Sequence, residues 1–335
     1  MLRACTIIIL LFCLNLSVGQ AFAIVEKGHD LLTESPFSDP HDSQAMPEAW
    51  IQQPVQHPEG GRKSDLLVHL SYQVADIWRP WLEGFARQEG VSIAIKEGAD
   101  GVAAGLLSRK EADIACYCGS PIKTDRLPGL QFHTVAAVPI AMFVHPDNPV
   151  KDLPLEDILK IYRGEIDNWS RVGGEDVRIQ PVARSHCKKR NGRFRPLEDM
   201  SDLSPRALLV GSIQDMVGFV SKTPGAIGYE IIPQIETMVE EGKVKPLTID
   251  GRNPYDLDFL RRGEYPYYRS YTFTIWEGDD RAAKLSEKLI QMLHRKTEQL
   301  SERVKMIPAS RLKKAGWSFY QGELVGEPKH VGHVH

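Results

Sequence analysis

From Leu66 onward the chain alternates strand-like and helix-like segments, and this alternation restricts its fold more than any other feature. Leu66-Leu67-Val68-His69-Leu70 is strand-like, and Val74, Ile77, Trp78, Trp81, Leu82 and Phe85 then recur at helical spacing. Val91 to Ile95 alternates as a strand, Gly101 to Arg109 suits a short helix, and Ala112 to Ala115 restarts a strand. A β-α-β-α-β order predicts an α/β architecture with largely parallel pairing, in which ligands sit at strand-to-helix turns.

A longer apolar strand over Thr134 to Val144 ends at His145-Pro146-Asp147-Asn148-Pro149, where two prolines and turn formers stop regular structure. This marks a crossing between two lobes. Beyond it the pattern predicts helices at Leu155 to Tyr162 and Ile213 to Ser221, and strands near Val177 to Val182 and over Ala226 to Ile232. Strand-like Val244 to Ile249, a strand at Tyr271 to Trp276 and a long helix at Arg281 to Leu300 then return to the first lobe. The expected division is a signal peptide over 1–23, a flexible leader over 24–64, lobe 1 from 65–145 plus 233–320, lobe 2 over 146–232 and a tail over 321–335.

The first 23 residues explain the leader's position. Arg3, the apolar run Ala4 to Val18 and the small-residue pattern Ala21-Phe22-Ala23 read as a cleavable secretory signal peptide. The run is too short to span a bilayer, and the expected location is the periplasm. A chain of 335 residues with 42% hydrophobic and 25% charged residues has ample material for a large core. Its net charge of -3 supplies no basic field for nucleic acid. No P-loop, Gly-x-Ser-x-Gly elbow or His-Glu-x-x-His motif is present, and Cys187 with His186 are sequence neighbours rather than an established spatial pair, so no enzyme is expected.

Five segments carry a family resemblance. Ala112-Asp113-Ile114-Ala115 followed by Ser120-Pro121-Ile122-Lys123, then Val144 to Val150 with its His-Pro-Asp-Asn-Pro core, occur in that order. Ile161-Tyr162-Arg163-Gly164-Glu165-Ile166-Asp167-Asn168-Trp169-Ser170, running on to Val172-Gly173-Gly174, is the most specific of the five. Pro224-Gly225-Ala226-Ile227-Gly228-Tyr229 and Leu247-Thr248-Ile249-Asp250-Gly251 complete the set. Together they resemble the phosphate-binding receptors of ABC importers, in the type II periplasmic binding protein superfamily, over roughly Leu66 to Glu277. The resemblance implies an α/β fold of two lobes joined by a hinge, with an interlobe ligand cleft. It further implies capture of a small oxyanion, phosphate in the first instance, by a monomer that hands it to a membrane ABC permease without a cofactor.

Carried over residue by residue, the resemblance places Ser71 and Tyr72 in the first ligand loop, where Ser71 either binds the anion or caps the following helix. In the second loop a serine is replaced in Gly98-Ala99-Asp100-Gly101, so Asp100 either accepts a proton from a protonated oxyanion or acts as an N-cap. Arg184 matches the ligand arginine, whereas the family's following Ser-Gly-Thr becomes Lys188-Lys189-Arg190. With Arg193 and Arg195 these form a basic run that either binds anions by direct charge or is a solvated loop. Gly192 and Pro196 argue against a helix there.

Removal of the signal leaves Cys116, Cys118 and Cys187, an odd number in a compartment that oxidises thiols. Cys118 falls where strand ends face the cleft and is a candidate ligand residue. Two or three of the sulfurs, with His186, suit a soft or borderline metal such as Zn or Cu(I). A Cys118 to Cys187 disulfide, or plain buried thiols, are the alternatives. On the metal reading, or if the altered pocket contacts a protein, the chain would be a sensor or adaptor rather than a transport receptor. His69 and His133 read as packed histidines in strands. His330, His333 and His335 read as a surface tail.

Overall fold

The computed structural model describes residues 31–32, 35–58, 64–72, 74–117, 119–185 and 192–329. The expected signal peptide and the terminal histidines lie outside them.

After a short helix α1 (Glu48–Ile51), the order is β1 (Leu66–Ser71), α2 (Ala75–Glu89), β2 (Ile93–Gly98), α3 (Asp100–Ser108) and β3 (Ile114–Tyr117). Next come β4 (Leu130–Val144), β5 (Asp152–Leu153), α4 (Leu155–Arg163), β6 (Gln180–Arg184), β7 (Leu208–Val210), α5 (Ile213–Val220) and β8 (Ala226–Ile231). The chain closes with α6 (Ile232–Glu240), β9 (Lys245–Pro246), β10 (Thr248–Ile249), α7 (Leu257–Arg261), β11 (Tyr268–Trp276), α8 (Arg281–Leu300), β12 (Ile307–Pro308), α9 (Ala309–Lys314), β13 (Ser318–Tyr320) and β14 (Glu323–Gly326).

Among the described residues, ten strands share one sheet whose main path runs β2-β1-β3-β11-β4-β8-β6-β7. Pairing is parallel towards both ends, β1 with β2 and β3, and β6 with β7 and β8. It is antiparallel in the middle, where β11 lies between β3 and β4, and β4 pairs β8. The expectation of largely parallel pairing therefore holds only for the two wings. The 15-residue β4 joins them: Leu130 to Pro139 pairs β11, and Ile140 to Val144 pairs β8. Its near-continuous burial follows from being covered on both faces, which explains an apolar run without alternation.

Helix α2 buries Ala75, Trp78, Leu82 and Phe85. The Trp78 ring meets Tyr271 and Phe273 of β11 edge-on at 5.2 and 5.3 Å, fixing the helix to the sheet. Gly90, at φ 64°, ends it in the left-handed conformation that glycine adopts without steric cost. In the other wing Tyr162 of α4 is fully buried, and its hydroxyl lies 3.3 Å from the carbonyls of both Val182 and Ile227.

Three expectations need correction. Val244 to Ile249 is two strands, since Leu247 donates its N–H to Met142 between β9, paired with β4, and β10, paired with β5. The tail does not begin at Gln321: β14 pairs β13, Leu324 is 1% exposed, and its N–H donates to Thr134 Oγ1 at 3.0 Å. Nor is the described part of the leader free chain. Gln44 donates its N–H to Arg126, Trp50 its indole N–H to Ser108, and Lys110 Nζ donates to the carbonyls of Ile51 and Gln53 while lying over the Trp50 ring. These contacts rest on backbone carbonyls and single side chains, which a periodicity search does not register.

Candidate functional site

Strands β1, β3 and β6 all end towards one region, and the residues expected there can be followed individually. Ser71 is the last residue of β1 and is 2% exposed. It does not cap α2, whose N-cap is Val74 with no side-chain cap bond. Tyr72 turns outward at 62% exposure. Asp100 is the first residue of α3 rather than its cap, which is Ala99, and its carboxyl group is buried at 3% exposure. There it faces the N-terminal end of a helix, where a negative charge is favoured.

Strand β3 runs through Tyr117, so Cys116 and Tyr117 lie within the strand rather than after it. Cys116 is a fully buried free thiol with Sγ 3.9 Å from the Tyr117 carbonyl. Burial, and then the charge of Asp100, push this thiol well above the ordinary cysteine range. The thiol packs among the apolar side chains of the core. Cys118, His186, Cys187, Lys188, Lys189 and Arg190 lie outside the described residues, and among the described residues no group of three His, Cys, Asp or Glu side chains is placed to hold a metal ion.

Arg184 ends β6 at 7% exposure. Its Nη1 donates to Glu230 Oε2 at 3.1 Å and its Nη2 to the Gly211 carbonyl at 3.2 Å, while its backbone N–H donates to the Tyr229 hydroxyl at 3.1 Å. Burial pushes that hydroxyl up to about 12. Glu230, on β8, is 2% exposed and its Oε1 accepts the Ile231 N–H at 2.9 Å. On its other side lies Arg269 of β11, with Nη2 3.8 Å from Oε1 and 4% exposed. Arg184 was expected from the sequence. Glu230 and Arg269 were not, although each is the lone charge in an otherwise uncharged strand segment, which is the signal that would have found them.

The described part of the basic run does not present free charge to solvent. Arg193 is 6% exposed, with Nη1 donating to Glu198 at 2.7 Å, Nε to Glu327 at 3.3 Å and Nη2 to the Leu32 carbonyl at 3.3 Å. Arg195 is 5% exposed and donates to the carbonyls of Leu197 and Glu198. Neither the anion-binding nor the solvated reading holds for these two: they fasten the loop, which runs 192–199 without helix. Between them Phe194 is buried, its ring 5.2 Å from the Arg195 guanidinium and 6.0 Å from that of Arg269, and so close to Gly119 that a Cβ there would stand 3.1 Å from the ring. Tyr268 N–H to the Arg193 carbonyl and Tyr267 hydroxyl to the Pro196 carbonyl complete the docking.

Arg184 thus stands buried at the carboxyl end of a strand paired in parallel with both its neighbours. The model for the PBP superfamily domain matches residues 57–290, most of the chain. The chain belongs to the PBP superfamily. Among curated proteins, the "Phosphate-binding protein PstS" of Bacillus subtilis (strain 168) is 33% identical over 143 residues, covering 42% of this chain and 46% of that protein. The protein of the same name from Borreliella burgdorferi is 26% identical over 121 residues, covering 32% of this chain and 42% of that one. The chain thus spans less than half the length of these relatives. Two solved structures of similar fold cover nearly their whole length. One is a putative phosphate ABC transporter substrate-binding protein with bound phosphate from Clostridium perfringens, with TM-score 0.63 and 20% identity, covering 73% of this chain and 99% of that one. The other is an ABC-type phosphate transport receptor from Vibrio cholerae, with TM-score 0.59 and 23% identity, covering 72% and 99%. At such identities the likeness concerns the fold, and it assigns this PBP-superfamily chain the two-lobed α/β architecture.

Proposed function

We propose that this protein is an extracytoplasmic solute-binding protein that captures phosphate or a related small oxyanion between its lobes and delivers it to a membrane ABC importer. The observation that carries this is Arg184, buried at the carboxyl end of β6 and pinned by Glu230 and the Gly211 carbonyl, so that its guanidinium is oriented before a ligand arrives. The phosphate-binding names of the two curated relatives support the ligand class. No helix among the described residues is long and apolar enough to cross a membrane.

In this reading one lobe is built on β1, β2, β3 and β11 and the other on β6, β7 and β8, with β4 running from the first into the second. Ser71 supplies a hydroxyl, Asp100 accepts from a protonated oxyanion, and Tyr72 stands at the rim. Cys118, Lys188, Lys189 and Arg190 belong to the same ligand shell, and the protein acts as a monomer without catalysis. A second reading, a sensor or adaptor, is favoured by one observation: Arg193 and Arg195 are spent on internal contacts, leaving less positive charge for a ligand.

Calorimetric titration of phosphate into protein purified without phosphate tests the assignment. One site is expected, and Arg184→Ala is expected to weaken it about 10- to 150-fold, the worth of one charge-assisted hydrogen bond. Absence of binding by the wild type would sink the phosphate reading, and unchanged affinity in the variant would sink the role of Arg184.

A further inference from the structure

We infer that Glu230 is a built-in competitor for the ligand, a carboxylate of the chain's own that occupies the guanidiniums of Arg184 and Arg269 and thereby sets the site's affinity, with Arg269 as its second cationic group. The inference rests on the reading of this region as an oxyanion site and deepens it.

Carboxylate and phosphate oxygens are recognised by guanidinium with the same planar geometry. Glu230 already presents one oxygen at 3.1 Å to Arg184 Nη1 and the other at 3.8 Å to Arg269 Nη2. Its position is fixed by the sheet: the Ile231 N–H, next in sequence, donates to Oε1 at 2.9 Å. All three side chains are buried, at 7%, 2% and 4% exposure for Arg184, Glu230 and Arg269, so solvent screens their charges weakly.

The three come from three strands, β6, β8 and β11, on both sides of β4. An anion that reaches Arg184 must therefore share its guanidinium with a fixed negative charge a few ångströms away. Two buried arginines without that charge would hold an oxyanion tightly and release it slowly. With it, part of the attraction is cancelled in advance, and the bound ligand exchanges readily.

Positioning alone would give Glu230 a different role, and the carboxamide variant separates the two. Glu230→Gln keeps an oxygen to accept from Arg184 and removes the charge. Inorganic phosphate is titrated calorimetrically into wild type, Glu230→Gln and Arg269→Gln, with thermal unfolding and far-UV circular dichroism recorded for each. Glu230→Gln is expected to bind phosphate roughly tenfold or more tightly, the effect of removing one like charge at such range. Arg269→Gln is expected to bind roughly tenfold more weakly.

If Glu230→Gln binds as the wild type does or more weakly, the competitor role is refuted while the receptor reading stands. If the wild type shows no binding and Glu230→Gln binds, the receptor reading fails and the competitor role stands. If neither binds, both fail. Should Glu230→Gln not fold, Arg269→Gln decides: affinity equal to wild type overturns the inference, and weakened affinity in a folded variant supports it.

Discussion

Replacing Arg126 by Met should destabilise the protein more than any surface change, because it breaks a dry ion pair from one side. Arg126 meets Glu323 with two parallel bonds, Nη1 to Oε2 at 2.9 Å and Nη2 to Oε1 at 2.6 Å, and the side chains are 3% and 4% exposed. Its Nε donates to Ser38 Oγ at 3.0 Å, and that hydroxyl donates in turn to the Pro121 carbonyl at 2.8 Å. Methionine fills much of the volume but leaves Glu323 buried without a partner. Removing one member of a buried pair costs about 3–5 kcal/mol, within which the lost Ser38 bond accounts for about 1. With an unfolding entropy of roughly 2.1 cal/mol/K per residue over the ordered body, this corresponds to a fall in Tm of about 5–8 °C.

Scanning calorimetry of wild type, Arg126→Met, Glu323→Met and the double variant supplies the assay. The double variant should recover most of the loss, since two apolar side chains need no counter-charge. A single variant within about 1 kcal/mol of wild type, or a double variant as unstable as the sum of the two singles, would refute the argument.

Two further outcomes follow from local geometry. Burial, with His294 and Lys313 nearby, pushes His133 down to about 4, so the unfolded chain binds its proton first; stability conferred by the neutral ring is full above about pH 6.5 and lost as pH falls towards 4, by at most about 3 kcal/mol. Denaturant midpoints measured across that range should fall for the wild type and flatten for His133→Gln, and equal slopes would exclude His133 as the source. A Cβ at Gly225 would stand 2.2 Å from the Arg178 carbonyl oxygen, which is backbone and cannot swing aside. Gly225→Ala should therefore lower stability by about 1–3 kcal/mol or more in the same assay, and a loss below about 0.5 kcal/mol would show that β8 can retreat.

Much of the strand and helix order was readable because it depends on local periodicity. Trp78, Leu82 and Phe85 declare α2 by spacing alone, and the helix Arg281–Leu300 has the expected limits. The antiparallel middle of the sheet was not readable, because which strands lie side by side depends on contacts between residues far apart in sequence. The site divides along the same line. Arg184 is legible as part of a motif. Its partner Glu230 is one letter in a strand, and the second cation, Arg269, lies just before the segment read as a strand. Arg193 and Arg195 were misread for the complementary reason. Their charge is visible in the sequence, but Glu198, Glu327 and the Leu32 carbonyl that consume it become visible only in three dimensions.

The contacts of Arg126 join chain segments that are synthesised far apart in time. Ser38 lies 88 residues before it and Glu323 lies 197 residues after it. The anchorage of Ser38 is thus completed only once the chain through Glu323 is available. Contacts of such separation carry a large loop-closure cost before they return any energy, so this corner should be the last to consolidate. Until then Arg126 lacks its carboxylate partner, and the bond between its guanidinium and Ser38 has no buried ion pair behind it.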